Sequence, residues 1–390
     1  MRGIQWRPLA PAPAAPYIFP TMPDPSPAAR AALKLDIVVI GAGQAGLSSA
    51  YHLRQFGLVP GRDFLVLDRA PQPGGAWQYR WPTLTLSTVN RVHDLPGMSF
   101  ADSAGGDASV MASVAVPQYF AAYEEHFGLN VLRPATVSVV CDRGNRLRIE
   151  SDRGLFSVRG IINATGTWEK PYIPDYPGRD SFGGRQLHTQ QYHRAEDFAG
   201  QHVLIVGGGI SAIQLLDQIS QVTSTTWVTR TPPRFRSGPF DQEAGRAAVK
   251  LVEDRVRAGL PPNSVVSVTG LPMTPAIEAM RERGVLERQD MFSEITPNGV
   301  RWADGRSLDV DVILWCTGFR SALDHLAPLQ LREESGGITM TGRLATQVAR
   351  DPRVHLVGYG PSASTIGANR AGAAAARELT GFLGILSAPR

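Results

Sequence analysis

Residues 35–57 read LDIVVIGAGQAGLSSAYHLRQFG. The apolar run Ile37 to Ile40 has the unbroken hydrophobicity of a strand buried on both faces, and it passes straight into Gly41, Gly43 and Gly46. A helix-period pattern follows and stops at Gly57, a residue suited to a helix C-terminus. Each glycine has its own steric task. Gly41 makes the tight turn, Gly43 lets backbone approach a pyrophosphate, and Gly46 lets the helix pack close to the strand. The helix start, with Gln44 and Ala45, offers unpaired N–H groups and a dipole that favours negative charge. A second strand, DFLVLDR, ends at Asp68, about 20 residues beyond Gly46, where an acid accepts hydrogen bonds from an adenosine ribose. Glycine motifs also occur in ordinary turns. The strand before, the helix after and the acid beyond set this one apart and predict a dinucleotide site.

The design recurs in QHVLIVGGGISAIQLLDQIS, with Gly207, Gly209, Ser211 and Ala212 at the turn and helix start. Alanine is tolerated at the third glycine position. The next strand, TTWVTR, ends in Arg230 instead of an acid. An acid there repels a 2′-phosphate, whereas a guanidinium forms charge-assisted bidentate bonds to it. Arg234 and Arg236 lie just beyond, and all three arginines are also compatible with a solvated surface. Two sites, the first of the NAD/FAD type and the second open to a 2′-phosphate, predict FAD with NADPH and hence flavin redox chemistry.

Bulk properties narrow the remaining classes. The 390 residues exceed one small core, and 43% hydrophobic with 19% charged residues is the balance of a globular protein. A net charge of +4 without a basic run gives no nucleic-acid stripe. The two cysteines, Cys141 and Cys316, form no CxxC, which argues against dithiol redox chemistry and a thiolate metal site. No metal is expected, and the default compartment is a reducing cytoplasm. Residues 1–33 are Pro- and Ala-rich and read as a flexible tail, with Met22 an alternative start. No apolar run reaches the roughly 18 residues needed to span a bilayer.

Two apolar strands end alike, IINATG at Ala164-Thr165-Gly166 and DVILWCTG at Cys316-Thr317-Gly318. They bracket the second glycine unit and read as hinges through which the chain leaves and re-enters one domain. The expected architecture is α/β with two Rossmann-like domains: a discontinuous FAD domain, 34–175 and 308–390, with an NADPH domain, 176–307, inserted.

The order GAGQAG, GGAW (Gly75, Trp77), ATG (Thr165, Gly166), SFGGRQLHTQQYH, GGGISA and CTG resembles the class B flavin monooxygenases. These include the flavin-containing, YUCCA-type and Baeyer–Villiger enzymes. Their signature falls on Phe182, Gly184, His188 and Tyr192, although Tyr192 stands where Baeyer–Villiger enzymes carry tryptophan. The resemblance implies an NADPH-dependent monooxygenase that inserts one oxygen atom of O2 into a small organic substrate through a C4a-(hydro)peroxyflavin. It places GGAW beside the isoalloxazine and a C-terminal helix start, Ile366-Gly367, at the flavin pyrimidine edge. Flavin-containing enzymes carry an asparagine near the flavin, for which Asn90 is the shifted candidate here. His188 is expected to couple the domains rather than donate a proton. An NADPH-dependent flavin oxidoreductase or oxidase that oxygenates nothing is the competing reading, and a homodimer is compatible with both.

Overall fold

The computed structural model describes residues 32–89, 92–104, 107–236, 242–263 and 269–386. Two separate sheets carry the two glycine motifs. In the first, β1 (Leu33–Ile40) runs parallel between β2 (Phe64–Leu67) and β5 (Gly154–Asn163), with Ile37 opposite Phe64 on one side and Gly160 on the other. A hairpin of β3 (Val137–Arg143) and β4 (Arg146–Ser151) adds antiparallel to β5. The second sheet is parallel throughout: β6 (Arg185–His188), β7 (Val203–Val206), β8 (Thr225–Thr229), β9 (Arg288–Asp290) and β10 (Val312–Trp315) lie in the order β9-β8-β7-β10-β6.

Parallel strands buried on both faces explain the unbroken apolar runs. All four residues of β2, β7 and β10 are buried, as are the last four of β1. Apolar clusters cover both faces of each sheet. On the first sheet, α1 (Gln44–Gln55) packs against the C-terminal helix, Thr365–Phe382. The crossing is close because its surface is small: Ala368, Ala371, Gly372, Ala375 and Ala376 face α1. A Cβ on Gly372 would stand 2.8 Å from Ser48 Oγ. Ser48 Oγ donates to the Asn369 carbonyl across this contact at 3.0 Å.

One boundary differs from the expected organisation. A return to the first domain at 308 would place Val312–Trp315 with the first sheet, but β10 lies between β7 and β6 in the second. The chain rejoins the first sheet later, at Met340–Thr341, Gln347–Val348 and β11 (Val354–Leu356), the last parallel to β5. Both small-Thr-Gly strands are short buried runs, and a buried run does not say which sheet it joins. The strand ending at Cys316 is thus the counterpart of β5: each adjoins the glycine-motif strand of its own sheet.

Candidate functional site

The two glycine turns are built alike. Gly41 (φ +99°) and Gly207 (φ +140°) both take left-handed backbone against a neighbouring strand end, so an added Cβ would stand 2.5 Å from the Ala164 carbonyl oxygen and 2.3 Å from that of Cys316, respectively. The third position shows why it must be small: a Cβ on Gly46 would meet the Gly41 carbonyl oxygen at 1.8 Å, whereas Ala212 is accommodated and fully buried. The middle glycines contrast with both. A Cβ on Gly43 or Gly209 would meet nothing within 4 Å. Each is the N-cap of its helix, α1 or α3 (Ile210–Ile219), and neither helix has a side-chain cap or an acid in its first turn. Thr274 and Ser364 cap their helices with their hydroxyls, whereas the helix Ala112–His126, behind Met111, shares the uncapped start but not the glycine. Two helix starts with open glycine caps leave N–H groups for a ligand anion, which is the fit a dinucleotide pyrophosphate requires. Within these helix starts Ala45 is buried and Ser211 half-buried.

Gln44 is tied within the protein. Its Nε2 donates to the His93 carbonyl (3.1 Å) and to Asn369 Oδ1 (2.9 Å), pinning α1 to the C-terminal helix, while Oε1 is buried without a partner. Gly75 (φ +52°) presses on the first turn, since its Cβ would lie 2.9 Å from Gly43 Cα. Trp77, two residues on, packs against the apolar clusters of both sheets.

The strand ends beyond the two turns differ in charge. Asp68, 8% exposed, pairs with Arg133 (Nη2 to Oδ2, 3.1 Å), which also forms a bidentate pair with Glu124 of α2 (Ala112–His126). Burial pushes the Glu124 carboxyl up, against the pull of Arg133. Arg230, just past β8, is exposed and forms no ion pair with another described residue. The end of β8 nevertheless lies beside the second turn: a Cβ on Gly208 would stand 3.7 Å from Thr229 Cγ2, and Trp227 Nε1 donates to the Gly207 carbonyl at 2.7 Å.

Between the sheets the chain crosses twice, and the crossings hold each other. Pro171 bridges Phe319 antiparallel, Tyr172 N–H donates to the Gly318 carbonyl (2.9 Å), and Arg320 N–H donates to the Lys170 carbonyl (2.7 Å). Thr165 Oγ1 donates to the Ala322 carbonyl (2.7 Å), while the Gly166 carbonyl accepts from Ala322 N–H (2.9 Å). Asn163 Nδ2 donates to Thr165 Oγ1 (3.0 Å), and Asn163 Oδ1 lies 2.7 Å from His325 Nε2.

His188, 1% exposed, holds this junction from the other side. Its Nδ1 accepts from Gln190 N–H (3.2 Å), which leaves Nε2 protonated to donate to the Gly318 carbonyl (2.9 Å). Its ring meets Phe319 edge-on at 4.8 Å, and burial lowers its pKa. Gly184 is needed for packing, because a Cβ there would stand 2.3 Å from the Asp311 carbonyl oxygen. Phe182 packs on the adjacent cluster, and the buried Tyr192 donates to Gln218 Oε1 of α3 at 2.8 Å.

The comparisons with known proteins agree with one another. The family model for pyridine nucleotide-disulphide oxidoreductases matches residues 38–243. The solved flavin-containing monooxygenase from Stenotrophomonas maltophilia is 35% identical, with TM-score 0.75, covering 90% of this chain and 99% of that one. The chain is a flavin-dependent monooxygenase of the pyridine nucleotide-disulphide oxidoreductase family. Two other relatives are similar to this monooxygenase. Indole-3-pyruvate monooxygenase YUCCA1 of Oryza sativa subsp. japonica is 28% identical over 73% of this chain and 76% of its own length. A Baeyer–Villiger monooxygenase of Streptomyces coelicolor is 32% identical over 50% of this chain and 38% of its own. The enzyme uses FAD and NADPH, takes O2 with a small-molecule substrate, and has no described helix long and apolar enough to cross a membrane.

Several features of the monooxygenase differ from, or lie beyond, the sequence reading. Asn90 falls outside the described residues. Gly367 N–H is occupied by the Ser364 cap (3.1 Å), and a Cβ there would stand 2.8 Å from Ser364 Oγ, so this glycine is needed for the turn itself. Ile366 remains 42% exposed at the helix start. Arg133 carries no motif. It reaches Asp68 because Leu132 bridges Leu67 in parallel, which sets the following residues side by side.

His325 likewise carries no motif, and it predicts a pH dependence of stability. Burial pushes its pKa from 6.5 down to about 4. The unfolded chain therefore binds a proton that the folded chain refuses, so stability is full above pH 6.5 and falls as pH drops toward 4. The buried His355, lowered to about 3, acts in the same direction. At 1.36 kcal/mol per unit over the span from pH 6.5 down to 4.5, His325 alone accounts for roughly 2–3 kcal/mol. Urea midpoints at pH 7 and pH 4.5 should differ accordingly, and His325→Gln should flatten the slope.

Proposed function

We propose that the open helix start at Gly43 to Gly46 holds the FAD pyrophosphate, with Asp68 taking the adenosine ribose and Gly75, Trp77, Thr165, Gly166 and the Ile366-Gly367 turn bordering the flavin. The second start, at Gly207, Gly209, Ser211 and Ala212, holds NADPH, with Arg230 on the 2′-phosphate. The observation that carries this reading is the pair of uncapped helices whose glycine caps alone face open space. Bound FAD supplies electron transfer from the nicotinamide and the activation of O2. The chain's own residues bind, orient and exclude water. A guanidinium in place of an acid at Arg230 supports NADPH over NADH, and the Arg133 pair holds the Asp68 carboxylate in place.

His188 is a positioning residue in this scheme. Both of its ring nitrogens are engaged, and its lowered pKa keeps it neutral, so it fixes the Gly318 crossover against β6. His188→Ala should retain FAD and its reduction by NADPH, yet release more hydrogen peroxide per NADPH consumed. A peroxide assay beside NADPH consumption checks this, and unchanged coupling would remove the role. The reading extends to a cytoplasmic location, supported by two free cysteines, of which Cys316 is buried. A homodimer is compatible with it, and sedimentation equilibrium decides that point. Titrating apoprotein with FAD, then with NADPH and NADH, tests the site assignments: two saturable sites with preference for NADPH are expected.

A further inference from the structure

Arg80 follows the short 3-10 turn Gly75–Tyr79, whose first residue presses on Gly43. Its guanidinium carbon lies 4.8 Å from the Trp168 ring centroid and 5.8 Å from that of Trp77. Trp168 comes two residues after Gly166 of the Ala164-Thr165-Gly166 turn, so Arg80 joins the segment beside the first glycine turn to the first crossover. Its Nε is buried without a hydrogen-bond partner, and no carboxylate pairs with it among the described residues. Glu169, the acid next to Trp168, is engaged by Arg69. Two other arginines of similar burial do have carboxylates: Arg133 has Glu124 and Asp68, and Arg353 has Asp351 and Asp142. Trp81, the next residue, adds a second buried donor, Nε1, without an acceptor.

A cation–π sandwich offsets part of the cost of enclosing a guanidinium, but it satisfies none of the N–H groups. Burial lowers the Arg80 pKa only to about 10, so the charge persists at neutral pH. Tyr79, 41% exposed and stacked on Trp168 at 6.0 Å, extends the aromatic surface beside it. A planar fork held between aromatic faces, charged and without a counter-ion among the described residues, suits a planar oxyanion engaged bidentately.

We propose that Arg80 is an oxyanion-binding residue of the monooxygenase cleft, receiving either a carboxylate of the substrate or a phosphate of NADPH. The proposal rests on the flavin reading for its location only. The test uses oxidised, FAD-loaded protein, so an enzyme that proved to be an oxidase would leave it intact. Equilibrium binding of benzoate, NADP⁺ and NAD⁺ is measured for wild type and Arg80→Gln. The variant should hold at least one probe about tenfold less tightly. Loss confined to benzoate assigns a substrate carboxylate, equal loss of NADP⁺ and NAD⁺ assigns the pyrophosphate, and loss of NADP⁺ alone assigns the 2′-phosphate. If Arg80→Gln fails to retain FAD, Arg80→Lys makes the same comparison. It keeps the charge but loses the planar fork, and about threefold weakening is expected. Binding of every probe within about twofold of wild type, in the variant that retains FAD, overturns the proposal.

Discussion

Gly43→Val should give a folded but colourless protein. The backbone at Gly43 is extended (φ −81°, ψ −170°) and a Cβ there meets nothing within 4 Å, so the valine fits the protein itself. What it fills is the space over the N-terminus of α1, where the FAD pyrophosphate must approach the N–H groups. Affinity for FAD is therefore lost without direct damage to the fold. Stability falls only by the share that bound flavin contributes, about 2.7 kcal/mol at a free concentration 100 times Kd. The neighbouring glycine provides the contrast. A Cβ on Gly46 would lie 1.8 Å from the Gly41 carbonyl oxygen, so Gly46→Ala should disrupt the turn and lower stability even without FAD. Flavin absorbance per protein and the melting temperature of the two apoproteins separate the cases. Yellow Gly43→Val protein with full flavin content would remove the first site assignment.

Arg230→Ala should raise the KM for NADPH by about 10- to 100-fold while leaving NADH kinetics nearly unchanged. The side chain is exposed, forms no ion pair among the described residues, and follows a strand whose end lies beside Gly208. A charge-assisted hydrogen bond to the 2′-phosphate contributes roughly 1.5–3 kcal/mol, and each 1.4 kcal/mol is about tenfold in affinity. The contact binds ground and transition states alike, so the rate of flavin reduction at saturating NADPH should hold near its original value. Arg234 lies close enough in sequence to take over part of the role, which would shrink the effect without reversing it. A wild-type preference for NADH, or a variant with its NADPH preference intact, would remove the assignment.

What was legible in the sequence was what is decided locally. Gly41, Gly43 and Gly46 sit within one turn, and their three different steric demands follow from strand, turn and helix geometry alone. The same holds for the second turn, where Ala212 shows how much room the third position allows. What depended on distant pairing was not legible. Nothing local to Val312–Trp315 distinguishes a strand of the second sheet from one of the first, so a return to the first domain at 308 comes too early. Arg133 meets Asp68 through a bridge between Leu67 and Leu132, far apart in the chain. Arg80 stands out only once the carboxylates it does not meet are known. Gly367 carries a demand the sequence did not show: its N–H is held by the Ser364 cap and a Cβ there would stand 2.8 Å from Ser364 Oγ, so the turn requires glycine whether or not a ligand lies beside it.

This chain delivers an oxygen atom from O2 to an organic substrate at the expense of NADPH. The most direct test reduces the FAD-loaded enzyme with NADPH, admits isotopically labelled O2, and offers a panel of thioethers and ketones. Mass spectrometry of the products and a peroxide assay are read together. A product carrying one labelled oxygen atom is expected, with peroxide falling as product rises. Recovery of all reducing equivalents as hydrogen peroxide, with no label in any organic product, would contradict it and leave a flavin oxidase.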